Sequence, residues 1–283
     1  MSRFVVVGVD GSKAAAVALD WAVDDAARRG LVLRVVLVRQ PWAAEHPRSA
    51  DYESRTEQCH RLLDAAADRA RARSPGLETT TALVTGAVVE RLRTESETAD
   101  TVVIGSRGLG GFAGLVLGSA GLGLAGHTHG PLVIVRGPAH ASYGEVVVGF
   151  DGSSGSDAAI AYALEQARAR RARLHAVYGR PYPMTAPHPA GFGPLPPDAL
   201  DLEERLSSWR ERYPELEVVG SVVPGHPAPV LADASRGADL VVLGSRGLGG
   251  LAAAVLGSVS HAVLHRAHCP VAVIPTPLPT PDR

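Results

Sequence analysis

Residues Gly105–Ser119 read GSRGLGGFAGLVLGS, and Gly244–Ser258 read GSRGLGGLAAAVLGS. The glycines and the closing Gly-Ser keep their register across the two copies. Each segment follows a short β-branched run, TVVI at Thr101–Ile104 or LVVL at Leu240–Leu243, and each precedes a helical stretch. A strand that turns through glycines into a helix gathers backbone N–H groups and the positive end of the helix dipole at one point. That is a place for an anion, and phosphate is the anion it suits best. Gly118-Ser119 and Gly257-Ser258 stand where the helix cap belongs, so the serine hydroxyl can cap the helix or meet an anion oxygen.

Working outward, a second pair of matching stretches appears. VVVGVDGS at Val5–Ser12 returns as VVVGFDGS at Val146–Ser153, an offset of 141 between Asp10 and Asp151, against 139 between Gly105 and Gly244. Offsets this similar at both ends of a repeat mean two homologous domains rather than a solenoid. The pattern predicts strands at Phe4–Val9, Leu31–Val38, Thr79–Val84, Thr101–Ile104 and Leu132–Val135. Helices are predicted at Ala14–Arg29, Tyr52–Arg73, Val88–Thr98 and after Ser119. The second copy repeats the order, with strands near Glu145–Phe150, Leu174–Tyr178, Glu217–Val222, Leu240–Leu243 and Val271–Ile274. Strictly alternating elements imply an α/β fold: two tandem Rossmann-like domains, 1–138 and 145–276, each with a five-stranded parallel sheet and helices on both faces. Gly137–Gly144 is the linker and Pro275–Arg283 a Pro-rich tail. The loop Arg180–Pro197 follows the second strand of copy two, on the side where such sheets bind ligands; it is read either as a lid or as a surface insertion.

Composition narrows the function. The 283 residues carry a formal charge of −1 with a sequence pI near 6.8, so no excess of basic charge points to nucleic acid. No apolar run approaches a membrane span, and the first apolar run is too short for a signal peptide. Cys59 and Cys269 lie in different halves, which suits a reducing cytoplasm and gives no catalytic thiol motif. Between Asp100 and Glu145, and again between Asp239 and Asp282, there is no Asp or Glu. Both glycine segments are thereby cleared of groups that would repel a phosphate, while Arg107 and Arg246 lie inside them.

A Walker A loop is excluded because neither segment contains Lys. Gly108–Ala113 and Gly247–Ala252 match the dinucleotide pattern G-x-G-x-x-A only formally: they follow the fourth strand, and no acidic residue stands at the distance needed to hold a ribose. The full spacing, Gly-x2-Gly-x9-Gly-Ser, occurs twice and resembles the ATP-binding signature of the universal stress protein family. The first-strand motifs VGVDGS and VGFDGS and the closing HRAHCPVAVI at His265–Ile274 support it. The resemblance covers essentially the whole chain and implies the adenine nucleotide α hydrolase-like fold.

It also implies site residues. Asp10 and Asp151 would lie by the ribose, with Gly8 and Gly149 flanking the pocket and the backbone of Val38 and Ala176 reading the adenine edge. Phosphates would be wrapped by Gly105, Ser106, Arg107, Gly108, Leu109, Gly110 and Gly111, and by Gly244, Ser245, Arg246, Gly247, Leu248, Gly249 and Gly250. Gly118, Ser119 and Ala120, with Gly257, Ser258, Val259 and Ser260, would complete the cradles. Structural roles compete: Asp before Gly-Ser is a usual helix cap, and the arginines can be solvated loop charges. Copy one departs from the family after its serine, where Gly121, Gly123 and Gly126 each weaken a helix by about 1 kcal/mol relative to Ala. Its helix is expected to be short and its site the weaker of the two.

His261 and His265 share a helical face, with His268 beyond and His127 and His129 in copy one. No zinc motif accompanies them, and no metal ligand is assigned; Mg²⁺ is expected only on ATP phosphates. Neither segment offers a general base, so no catalytic residue is assigned and at most slow hydrolysis is expected. The expected function is a cytoplasmic stress-response protein that binds ATP in each domain and acts as a switch toward unknown protein partners, without nucleic acid or membrane. Two alternatives stand: a slow ATPase or nucleotidyl-transfer enzyme of the related fold, and a nucleotide-free interaction module. The resemblance also implies pairing of the two domains as an intrachain pseudo-dimer, or a homodimer.

Overall fold

The computed structural model describes residues 4–41, 50–108, 117–137, 142–180, 197–247 and 256–276, without the side chains of residues 50, 51 and 197–201. The chain divides into two compact units, Met1–Ala139 and His140–Arg283.

In the first unit, β1 (Phe4–Val9), α1 (Lys13–Arg29), β2 (Val32–Arg39), α2 (Ala50–Arg73), β3 (Thr79–Thr85), α3 (Val88–Glu95), β4 (Ala99–Gly105), α4 (Ser119–Leu124) and β5 (Leu132–Val135) follow in turn. The strands lie in the order β3-β2-β1-β4-β5, and every pairing among them is parallel. The second unit repeats this with β6 (Glu145–Gly149), α5 (Ser154–Arg170), β7 (Arg173–Arg180), α6 (Pro197–Arg212), β8 (Val218–Pro224), α7 (Pro227–Ala234), β9 (Leu240–Gly244), α8 (Ser258–Arg266) and β10 (Val271–Ile274). Its order, β8-β7-β6-β9-β10, is again parallel throughout. Each sheet therefore turns between its first and fourth strands (β1/β4, β6/β9). That switch point at the carboxyl ends is where open α/β sheets take their ligands.

The central strands are continuous apolar runs because both of their faces are covered. Val5, Val7, Val103, Val133, Val146, Val148, Val241 and Val273 are wholly or almost wholly buried. Between helices, α2 packs on α1, and α2 buries Leu63, Ala67 and Ala70, one face at helical spacing. At the rim of that contact, Arg69 grips Asp20 and Arg73 grips Asp24 through paired bonds of 2.6 and 2.7 Å. Within the first unit, Arg29 joins Asp25 and Asp100, all three nearly excluded from solvent. Such a cluster costs about 3–5 kcal/mol to break from one side.

Candidate nucleotide site

The site in the second unit begins where β6 ends. Asp151 accepts the Ser153 amide (3.0 Å) and the Ser153 hydroxyl (2.5 Å) on Oδ1, which folds the chain into an Asx turn. Ser153 Oγ in turn accepts the Ser156 amide and caps α5. Alongside, β9 ends at Gly244, pressed so closely on the first turn of α5 that a Cβ there would lie 2.8 Å from the Gly155 carbonyl. No side chain fits. Three residues later Gly247 passes under Asp151, where a Cβ would overlap Oδ2.

The chain returns at Gly257, whose amide donates to the Ser245 carbonyl (2.7 Å). Gly257 is the N-cap of α8 and makes no side-chain cap bond, so the amides of the first turn are left without the usual cap. Ser258 is thus the first residue of the helix rather than its cap. Ser260 donates its hydroxyl to the Gly244 carbonyl (2.7 Å), tying the start of α8 to the end of β9.

These parts surround a cavity of about 420 Å³. One end is polar, formed by Asp151, Ser156, Gly244, Arg246, Gly247 and the first turn of α8. The other is apolar and partly aromatic, formed by Gly149, Phe150, Val177, Tyr178, Gly179, Pro227, Leu231 and Leu243, with His226 beside them. Phe150 and Tyr178 meet edge to face at 6.3 Å. The volume lies in the range of small-molecule sites. A phosphate chain matches the amide-rich end and an aromatic base the other.

Of the residues expected from the sequence, Gly149, Asp151, Gly244, Arg246, Gly247, Gly257, Ser258, Val259 and Ser260 line this cavity together. Leu248, Gly249 and Gly250 lie outside the described residues. Ala176 needs correction. It is wholly buried in mid-strand, opposite Val148 and Gly220. Gly8 pairs with Val36 and Gly149 with Val177, so the counterpart of Val38 is Gly179, which does line the cavity. The strand runs to Arg180, beyond the Tyr178 expected, and carries its end residues to the site.

Ser245 also does other work: it is nearly buried, and its hydroxyl accepts the Thr276 amide (3.0 Å). Arg246 donates to the Thr276 carbonyl (2.9 Å), so the residues just past β10 hold the base of the glycine turn. Sequence reasoning missed Phe150, Tyr178, His226, Pro227, Leu231 and Thr276. Extending the 141-residue offset strictly through β7 would have found Gly179.

The first unit repeats the skeleton. Asp10 Oδ1 accepts the Ser12 amide (2.9 Å), and Ser12 caps α1 through the Ala15 amide (3.1 Å). Gly105 lies against the backbone of Ala14, with a Cβ only 2.6 Å from its carbonyl carbon, and a Cβ on Gly108 would lie 2.6 Å from Asp10 Oδ2. Gly118 donates to the Ser106 carbonyl (2.8 Å) and is the N-cap of α4, again without a side-chain cap. Ser119 and Ala120 open that helix; Arg107 is exposed and Ser106 buried. Gly8 and Val38 stand near the ends of β1 and β2. Leu109, Gly110 and Gly111 lie outside the described residues, as does 181–196, the body of the loop read as a lid or an insertion. Among the described residues no group of three His, Cys, Asp or Glu is placed to hold a metal. None of their helices is long and apolar enough to cross a membrane.

Comparison with known proteins bears on the family and the fold. The model of the Universal stress protein family matches residues 1–136 and again 142–275. The chain is 35% identical over 302 residues to Universal stress protein Rv1996 of Mycobacterium tuberculosis, covering 96% of this chain and 95% of that one. It is 37% identical over 285 residues to Universal stress protein Rv2005c of the same organism, covering 95% and 96%. Among solved structures, a universal stress protein from Archaeoglobus fulgidus has the same fold, with a TM-score of 0.75 at 20% identity over 97% of this chain and 99% of its own. On the two matched segments and the full-length relatives, this chain belongs to the universal stress protein family and carries two family domains in tandem.

Proposed function

We propose that each unit binds ATP, and that occupancy rather than turnover is what the chain communicates to protein partners in a stress response. The observation that carries this is one cavity in which the uncapped first turn of α8, the Gly244–Gly247 turn, Arg246 and Asp151 face an aromatic, apolar end. Backbone amides at a helix start bind phosphate without needing a lysine. The Cβ-free approach at Gly244 and Gly247 keeps the chain close enough for those amides to converge. In this reading Phe150, Val177, Tyr178 and Leu231, which line the cavity, are the surface for the base, and Asp151 is the acceptor for a ribose hydroxyl. Mg²⁺ is carried by the phosphates.

Hydrolysis needs a group to orient water. Among the described lining residues the groups suited to this are Asp151, whose Oδ1 is taken by Ser153, and His226, whose Nδ1 accepts the Ala228 amide and caps α7, so the reading is of turnover that is slow at most. The two cysteines form no disulfide, as suits the cytoplasm. The test is release of small molecules from the purified native protein, identified by mass spectrometry, followed by calorimetry with ATP. Adenine nucleotide in the released fraction and saturable binding are expected. No uptake at about 1 mM ATP, where a site worth only ~4 kcal/mol would be half filled, overturns the proposal.

A further inference from the structure

On the second unit's sheet, outside the cavity lining, three polar side chains from adjacent strands form a chain of hydrogen bonds. Ser221 of β8 lies with its Oγ 2.8 Å from His175 Nε2 of β7, and His175 Nδ1 lies 3.1 Å from Glu145 Oε1 of β6. A carboxylate can only accept, so the hydrogen of the neutral ring sits on Nδ1 and Nε2 is left to accept from the serine. Arg173 pairs with the other carboxylate oxygen of Glu145 and holds that group in place. The pattern is a hydroxyl bonded to a base that a carboxylate orients, which is the arrangement that activates a serine.

Two further observations separate this cluster from ordinary sheet packing. The His175 side chain is 24% exposed and Ser221 is half-buried on the outermost strand of the unit, so both are reachable. The fold also does not require it. By strand register the first unit has Phe4, Arg34 and Ala82 at the three positions, and Arg34 pairs instead with Glu95 at 2.7 Å.

We infer that Ser221 is a nucleophile toward activated carboxylic esters, with His175 as its base and Glu145 as the positioning residue. Ser221 Oγ bonds to the ester carbonyl carbon while its hydrogen passes to His175 Nε2. The bond to the alcohol oxygen breaks, and that oxygen leaves with the hydrogen. The product is an acyl-serine, which water releases as the carboxylic acid by the same exchange. Because the three groups are not part of the cavity lining, the class is small esters with good leaving groups, such as aryl acetates.

The test uses the full chain with p-nitrophenyl acetate and a fluorophosphonate probe, the modified peptide being identified by mass spectrometry. Label on Ser221 is expected, absent in Ser221→Ala and slowed about 100-fold or more in His175→Asn, the low end of what a general base contributes. Glu145→Ala should slow labelling and Glu145→Gln, which can still accept from Nδ1, should recover part of the rate at an equal melting temperature. ATP binding by the variants serves as the check on folding. Label elsewhere than Ser221, or labelling of Ser221 that His175→Asn leaves unchanged, overturns the inference.

Discussion

Asp151 illustrates how one side chain closes a turn and lines the cavity at once. Its Oδ1 is committed to Ser153, which caps α5, while Oδ2 stands over Gly247. Asp151→Ala should therefore cost about 1 kcal/mol of stability through the lost turn and cap, and should also weaken ATP binding. Asp151→Asn keeps an acceptor for Ser153 and should hold stability within ~0.5 kcal/mol. Thermal denaturation and calorimetry on both variants check this, and equal stability losses would refute the split. A second residue bears on pH. Burial pushes the Cys269 thiol from 9.0 up to about 12. In the unfolded chain the thiol ionises first, so the folded form holds more protons between these values and stability falls as pH rises from about 9 toward 12. Below pH 9 the contribution is fully present. Thiol reagents at neutral pH should modify half-buried Cys59 and leave Cys269 intact until denaturant is added.

Among the elements, equivalent helices end in different ways. α1 closes with Gly30 at φ 63°, the left-handed conformation that glycine adopts freely. α5 places Arg171 in the same role at φ 54° and ψ 40°. A residue with a Cβ pays about 1 kcal/mol there, and Arg171 is exposed, so Arg171→Gly should stabilise the second unit by up to that amount in a denaturant titration. The alternation of strands and helices was legible because Val-rich runs and amphipathic stretches follow one another twice. Element ends were less so. β7 continues through Gly179, where a glycine weakens the strand signal and suggests a loop, and the strand register, not the sequence pattern, identifies Gly179 rather than Ala176 as the counterpart of Val38. α3 stops at Glu95 rather than Thr98 because Ser96 turns its hydroxyl back onto the Arg93 carbonyl (2.6 Å). In the site, the glycine turns were visible from spacing, whereas Pro227 and Leu231 come from α7 and Thr276 from just past β10, and the fold alone brings them to the cavity and to the base of the glycine turn.

At the scale of the whole molecule, the two copies keep one skeleton and differ in how firmly it is held. α8 has nine residues and α4 six, so the first unit aligns fewer peptide dipoles behind its open amides. Ser260 ties α8 to the Gly244 carbonyl, whereas its counterpart Gly121 has no hydroxyl, and a Cβ there would meet Leu117 at 2.8 Å. Thr276 fastens both Ser245 and Arg246 in the second unit. The first unit has Gly137 at that position, since Ser106 donates to Val135 as Ser245 does to Ile274. Together these differences should weaken ATP at the first site by about 1–2 kcal/mol, a factor of roughly 5–30. Calorimetry on the wild type should then resolve two events. Gly247→Asp should remove the tighter and Gly108→Asp the weaker, because each carboxylate is introduced at the turn beside Asp151 or Asp10. Equal affinities in the two single-site variants would mean that the main-chain turn alone sets binding strength, and that helix length, Ser260 and Thr276 serve stability only.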